Sequence, residues 1–203
     1  RSNWRAGIIN RAIRGTVLYA ESCLQRGERL VVARNNYFWT TKVKGAQFIA
    51  NGESAVVQRI VSREERYGHR WADVELLLPD TKVELTAKLL LTTLETDTPT
   101  LGGDELNRLY QAVLKEKKAE SINGANELKV LRTDPYLNAL QAKYGYCLTC
   151  HKAQGGQWEH VYVDLGGIPQ EAIATPDFYR WLYTALTRAS DKLFLINPAI
   201  EIL

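Results

Sequence analysis

The sequence has no methionine and only three cysteines, Cys23, Cys147 and Cys150. So few thiols exclude a disulfide scaffold and suit a reducing compartment. No apolar run approaches the roughly 18 residues that would span a membrane. The opening Arg1-Ser2-Asn3-Trp4 is polar and Ile8-Ile9 is too short for the core of a signal peptide. A cytoplasmic location without a membrane partner is therefore expected. Neither sign of charge dominates: 26 basic residues face 23 acidic ones, a net charge of +3. That balance permits nucleic-acid binding without arguing for it. A chain without an initiating Met is expected to derive from inside a longer polypeptide. Its 203 residues are enough for one large domain or two small ones.

What is present changes period along the chain. Residues 4–24 place Ile8, Ile9, Ala12, Ile13, Val17 and Leu24 at roughly helical spacing. Ser2 or Asn3 can cap the start, and Gly27 suits the position after the end. From Arg29 the period is two: 29–34, 55–61, 71–78 and 82–91 read as strands. Turn signals separate them at Asn35-Asn36, Lys44-Gly45, Asn51-Gly52, Tyr67-Gly68 and Pro79-Asp80. This pattern predicts a small antiparallel barrel or sandwich over about 28–95. Residues 96–103 read as a linker. Residues 104–131 return to helical composition, with a charged face at Lys115–Glu120 and a break at Asn123-Gly124. The rest alternates: a strand over 144–149, a loop, a strand over 160–165, a helix from Thr175-Pro176-Asp177 to about Ala189, and a strand over 192–197. Alternating β and α segments predict a parallel sheet with ligands at the carboxyl ends of its strands.

The loop CLTCHKAQGG, residues 147–156, carries several chemistries at once. Cys-x-x-Cys-His matches the attachment pattern for c-type haem, but no signal for export and no distal Met is present, which leaves His69 and His160 as the candidate ligands. Zinc needs four ligands, and no second pair of suitable spacing exists. A redox dithiol opens a helix, whereas here the first cysteine falls in the predicted strand. Neither haem nor zinc is expected, and both cysteines read best as small buried apolar residues. Gly155-Gly156 lets backbone approach a phosphate, with Thr149, His151 and Lys152 as donors beside it. The phosphate loop Gly-x4-Gly-Lys-Ser/Thr occurs nowhere in the chain.

A second stretch, Arg180–Arg188 (RWLYTALTR) followed by Ala189, completes the pattern. TCHKAQGGQW and LYTALTRA, in this order, closely resemble motifs V and VI of superfamily 1 helicases of the RecD-like and Dda-like branch. The opening RSNWRAGIINRAIR resembles their motif IV region. The strand-rich block with FIANGES resembles the Src-homology-3-type barrel that this branch inserts between motifs IV and V.

The resemblance implies an α/β fold: a RecA-like (P-loop NTPase-type) parallel-sheet domain over 1–27 and 96–203, with the small antiparallel barrel inserted over 28–95. It further implies the C-terminal motor half of an ATP-dependent DNA helicase, moving 5′ to 3′. ATP would bind between this half and an N-terminal RecA-like domain of the same polypeptide, where the Walker motifs and Mg²⁺ ligands are expected. Arg188 would be the arginine finger, the one catalytic residue of this half. Gln154, Gly155, Gln157, Arg188 and Arg1 would face ATP. Thr149, His151, Lys152 and Asn3 would face single-stranded DNA. Many relatives carry Glu where this chain has Gln157, close to the ribose. Tyr183, Thr184 and Thr187 complete motif VI, with Tyr183 expected to pack. Asn35–Trp39 (NNYFW) reads mainly as barrel core and turn, with base stacking the alternative. Against the motor stands a reading as a non-catalytic nucleic-acid-binding module.

Overall fold

The computed structural model describes residues 2–41, 47–120 and 126–198. The turn signal at Lys44-Gly45, the break at Asn123-Gly124 and the candidate ligand Arg1 lie outside them. The described residues form two compact units, one over 2–147 and one over 148–198.

The first unit opens with α1 (Asn3–Ala12). Ser2 is its N-cap: the Oγ accepts from the Arg5 amide at 3.2 Å. The helix loosens into a single π-helical turn over Ile13–Val17, and chain 20–28 is irregular. Five strands follow: β1 (Arg29–Val32), β2 (Ser54–Arg66), β3 (His69–Leu78), β4 (Val83–Leu90) and β5 (Ala142–Tyr144). They form one antiparallel sheet in the order β4-β3-β2-β1-β5. Alternation explains its inner face: Val74, Leu76 and Leu78 of β3 point inward with Val83, Leu85 and Ala87 of β4, and all are buried. The β2–β3 turn is Tyr67-Gly68, with φ of 54° and 74°, the two positive values of a tight hairpin turn. The sheet's outer strands also meet. Leu140, just ahead of β5, accepts from the Leu90 amide at 2.9 Å and donates to the Lys88 carbonyl at 2.8 Å. The sheet thus curls around Leu30, Val57, Leu89 and Leu140, all almost wholly buried.

Between β4 and β5 run α2 (Thr92–Glu95), α3 (Gly103–Glu120) and α4 (Glu127–Thr133). Leu109, Val113 and Leu114 of α3 bury one helix face against Val130, Trp71 and Leu90. The charged patch on α3 is only partly a solvated face. Glu116 pairs with Arg66 and accepts from the Tyr67 hydroxyl, and Lys118 pairs with Glu127 at 2.8 Å.

The second unit holds β6 (Trp158–Asp164), α5 (Gln170–Ile173), α6 (Pro176–Leu186) and β7 (Ala189–Ile196). Thr175 caps α6, its Oγ1 accepting from the Phe178 amide, with Pro176 in the first turn as expected. β6 and β7 pair in parallel across this βαβ crossover.

The larger sheet is antiparallel, as the period-two runs predict, and the parallel pairing described in the second unit is the two-stranded β6–β7 pair. One expectation needs correction. The strand expected over 144–149 ends at Tyr144, and its last residues pair antiparallel with β1. A Cβ on Gly145 would come within 3.2 Å of the Leu30 backbone, and beyond it the amides of Tyr146 and Cys147 bond to a side chain instead of a strand. A bend replaces the ladder.

Two polar clusters sit inside this unit. Arg14 donates to both carboxylate oxygens of Glu28, at 2.9 and 3.0 Å, and to the Ser22 carbonyl at 2.6 Å. Its guanidinium lies 4.1 Å from the centre of the Tyr144 ring. Glu28 is fully buried and also accepts from the Tyr146 hydroxyl at 2.8 Å. Burial works against the Arg14 cation, but the Glu28 carboxylate more than offsets it and holds its pKa above the ordinary value. Removing one member of such a pair leaves an unpaired buried charge. Glu28→Gln is therefore expected to destabilise the protein by about 3–5 kcal/mol in urea unfolding; an unchanged midpoint would contradict the pairing.

In the second cluster Lys88, nearly buried, bridges Glu64 at 2.6 Å and Asp73 at 2.9 Å. The Lys88 hydrogen bond holds the Glu64 carboxyl below its ordinary pKa, with the Tyr136 hydroxyl adding to it. A lowered folded-state pKa stabilises above the unfolded value, about 4.3, and is lost as pH falls through the folded one. Glu64→Gln should accordingly flatten the fall in stability below about pH 4, measured as urea midpoints against pH; parallel curves for mutant and wild type would refute this.

Candidate functional site

The stretch that carries the candidate chemistry is a tight turn, not an open loop. The Thr149 carbonyl accepts from the amides of Lys152 and Ala153, at 2.9 and 3.1 Å. The amides of Gln154 and Gly156 bond back to His151 and Ala153. The turn then needs its two glycines for different reasons. Gly155 has φ of 84°, which costs any residue with a Cβ. At Gly156 a Cβ would lie 2.4 Å from the Trp158 ring, so the indole packs directly on the backbone.

The candidate residues divide by exposure. His151, Gln154, Gly155 and Gln157 are exposed. Lys152 is half-buried, and burial pushes its ammonium pKa down. Thr149 is buried, and its carbonyl is the acceptor that closes the turn. Asn3 is exposed in the first turn of α1, in the other compact unit.

Arg188 lies in the turn between the Thr187 cap of α6 and the start of β7, and is half-buried. Its Nε donates to the Thr184 carbonyl at 3.0 Å and one terminal nitrogen to the Thr187 hydroxyl at 3.1 Å. The other terminal nitrogen donates to the Gly156 carbonyl at 3.1 Å. Beside it, the Trp158 amide donates to the Arg188 carbonyl at 2.9 Å. Side chain and backbone together stitch the turn to the end of α6. Three of the five guanidinium N–H groups are engaged, which leaves donors for an anion. Thr184 and Thr187 return their hydroxyls to helix carbonyls, at 2.9 and 2.8 Å. Tyr183, expected to pack, is 71% exposed.

The cysteines are free thiols. Cys147 lies in the bend after β5, not in a strand. Cys150 packs with Trp181 and Leu182, and its Sγ lies 3.6 Å from the Trp181 carbonyl. Burial pushes its pKa up, with Arg188 acting weakly in the other direction. A thiol held protonated is a poor nucleophile and a poor metal ligand. No group of three metal-ligating side chains occurs among the described residues.

One residue of consequence escaped the sequence reading. Asn10, buried on α1, accepts from the amides of Tyr146 and Cys147 at 3.0 and 2.9 Å. It also donates to the Cys147 carbonyl at 2.8 Å. Its side-chain amide thus takes the place of a strand neighbour and fixes the backbone from which the 148–156 turn leaves. The signal available was a polar residue in the middle of an apolar helical repeat.

Residues 144–196, from the end of β5 through β7, match the family of UvrD-like helicase C-terminal domains. The match takes in both the turn and the Arg188 segment, and it supports a superfamily 1 helicase C-terminal region. No curated protein matches the chain at a significant level. Among the described residues no helix is long and apolar enough to cross a membrane.

Asn10→Ala removes three hydrogen bonds and strands two amides. It should cost about 2–3 kcal/mol and speed hydrogen exchange at the amides of Tyr146 and Cys147. Unchanged protection at both amides would remove Asn10 from this role.

Proposed function

We propose that the chain is the C-terminal motor half of an ATP-dependent DNA helicase of the RecD-like and Dda-like branch. In this reading residues 1–27 and 96–203 belong to a second RecA-like domain, and 28–95 to an inserted barrel of the Src-homology-3 type. The family match over 144–196 supports the helicase context. The observation that carries the finer reading is the bond from Arg188 to the Gly156 carbonyl. It joins the two stretches whose resemblance is strongest through the one side chain suited to answer phosphate charge.

Phosphoryl transfer asks the protein for position and countercharge more than for covalent chemistry. Arg188 supplies the countercharge: a permanently protonated fork with unused donors, held at its base by α6 carbonyls. Gln154, Gly155 and Gln157 stand exposed on the same turn, where an amide and a backbone N–H meet a nucleotide. His151 and Lys152 offer donors to DNA phosphate. Thr149 serves the same end indirectly, by holding the turn. Mg²⁺ and the remaining phosphate contacts belong to a first RecA-like domain on the same polypeptide, so the isolated chain binds single-stranded DNA without turning over ATP. Movement 5′ to 3′, cytoplasmic location and a part in DNA repair extend the same reading.

The test is Arg188→Ala in the full-length polypeptide. ATP turnover should fall by about 10³-fold or more, with single-strand binding retained. Near-normal turnover would overturn the finger assignment. Strand binding with no turnover in the unmutated polypeptide would favour a non-catalytic binding module.

A further inference from the structure

Arg188 is tied to the candidate turn twice, and both ties end on residues 156–158. One terminal nitrogen donates to the Gly156 carbonyl at 3.1 Å, and the Arg188 carbonyl accepts from the Trp158 amide at 2.9 Å. Between these bonds the Trp158 indole lies against the Gly156 backbone and leaves no room for a Cβ there. We infer that Trp158 is the positioning residue of Arg188: through Gly156 it fixes the direction in which the guanidinium presents its unused donors. The inference rests on the arginine-finger reading above and names what aims the finger.

The two glycines of the turn separate backbone need from side-chain need. Gly155 has a positive φ, and Gly156 does not. Conformation therefore does not demand glycine at 156; the indole does. The atoms that a Cβ at 156 would meet are Cη2, Cζ2 and Cζ3 of Trp158, the far edge of its six-membered ring. A phenylalanine ring at 158 is shorter and stops before this edge. An indole has two side-chain torsions, so once its backbone is fixed in β6 it makes a stiff prop.

A second, independent feature converges on the same place. Trp158 pairs with Ala189, but the next pair is His160 with Lys192, so β7 carries one residue more than β6 between them. Parallel pairs seldom bulge, and bulges gather where a side chain has to be re-aimed. This one begins at the residue after Arg188. Asp191 within it faces His160 across the pair, Oδ2 to Nε2 at 3.5 Å. From His160 to Asp164 the register is then regular, ending with Asp164 opposite Ile196. The irregularity lets Arg188 keep its carbonyl bond to Trp158 while the rest of β7 runs in step with β6. Misplacing a reacting group by about 1 Å can cost roughly 10²-fold in rate, so a finger needs such support.

ATP turnover by the full-length polypeptide carrying Gly156→Ala, Trp158→Phe or both tests this. The added methyl of Gly156→Ala must push the indole aside, and kcat should fall by about 10²-fold with KM for ATP and single-strand affinity little changed. Trp158→Phe withdraws the ring from Gly156 and should also lower kcat; it keeps an aromatic ring on the sheet, so its test does not depend on how well Gly156→Ala folds. Joining the two fills the gap and should restore part of kcat. On an Arg188→Ala background Gly156→Ala should cause no further loss, because its effect passes through Arg188. In the 203-residue chain, exchange of the Arg188 Nε proton, read by NMR, should quicken in Gly156→Ala and slow again in the double variant. If Gly156→Ala and Trp158→Phe turn over like wild type while Arg188→Ala collapses, the positioning role is overturned and the finger stands. A loss on the Arg188→Ala background as large as on wild type would overturn it equally. If Arg188→Ala itself turns over normally, the finger reading fails and this inference with it.

Discussion

Much of the first unit is organised around one buried charge. The Glu28 carboxylate is fully enclosed, and such an ion survives in a protein interior only if it is paired and hydrogen-bonded. Arg14 provides the pair and Tyr146 the further bond, while the Tyr144 ring covers the guanidinium. Glu28 stands just ahead of β1, and these partners come from the π-helical turn after α1 and from the end of β5 and the bend beyond it. The cluster therefore ties the first helix to the sheet. One helical turn before Arg14, Asn10 takes the backbone at Tyr146 and Cys147 out of the ladder. The candidate turn begins where that constraint ends.

Within the second unit the same economy holds. Arg188 satisfies the end of α6 and the Gly156 carbonyl with one side chain. An arginine capping helix carbonyls is an ordinary structural device. Its reach to the turn is what makes it more than that. A guanidinium shared between two segments responds to anything that draws it away, so charge placed near it would be felt by both. The proposed motor reading requires this property of a residue that would report nucleotide to a strand-binding turn.

Much of this was legible in sequence because local physics dictated it. The period-two runs gave β1 to β4, Tyr67-Gly68 gave the hairpin, and Thr175-Pro176 gave the start of α6. The turn residues and Arg188 were visible through the two stretches that carry the helicase resemblance. What was hidden depends on long-range contact. Nothing local shows that Asn10 replaces a strand neighbour more than 130 residues away, so the strand was read past Tyr144. Nor does periodicity show that the residues before Cys147 join the antiparallel sheet, which placed β5 with the wrong partners. The exposure of Tyr37, read mainly as core, likewise follows from its neighbours and not from its own run of residues.

The central claim is that this chain is half of a nucleotide-driven motor. Its most direct test is ATP hydrolysis by the full-length polypeptide, with and without single-stranded DNA, beside the isolated 203-residue chain. The account predicts turnover stimulated by the strand in the full-length protein and none in the isolated chain. A full-length protein that is folded and binds the strand, yet shows no strand-stimulated hydrolysis, would contradict it.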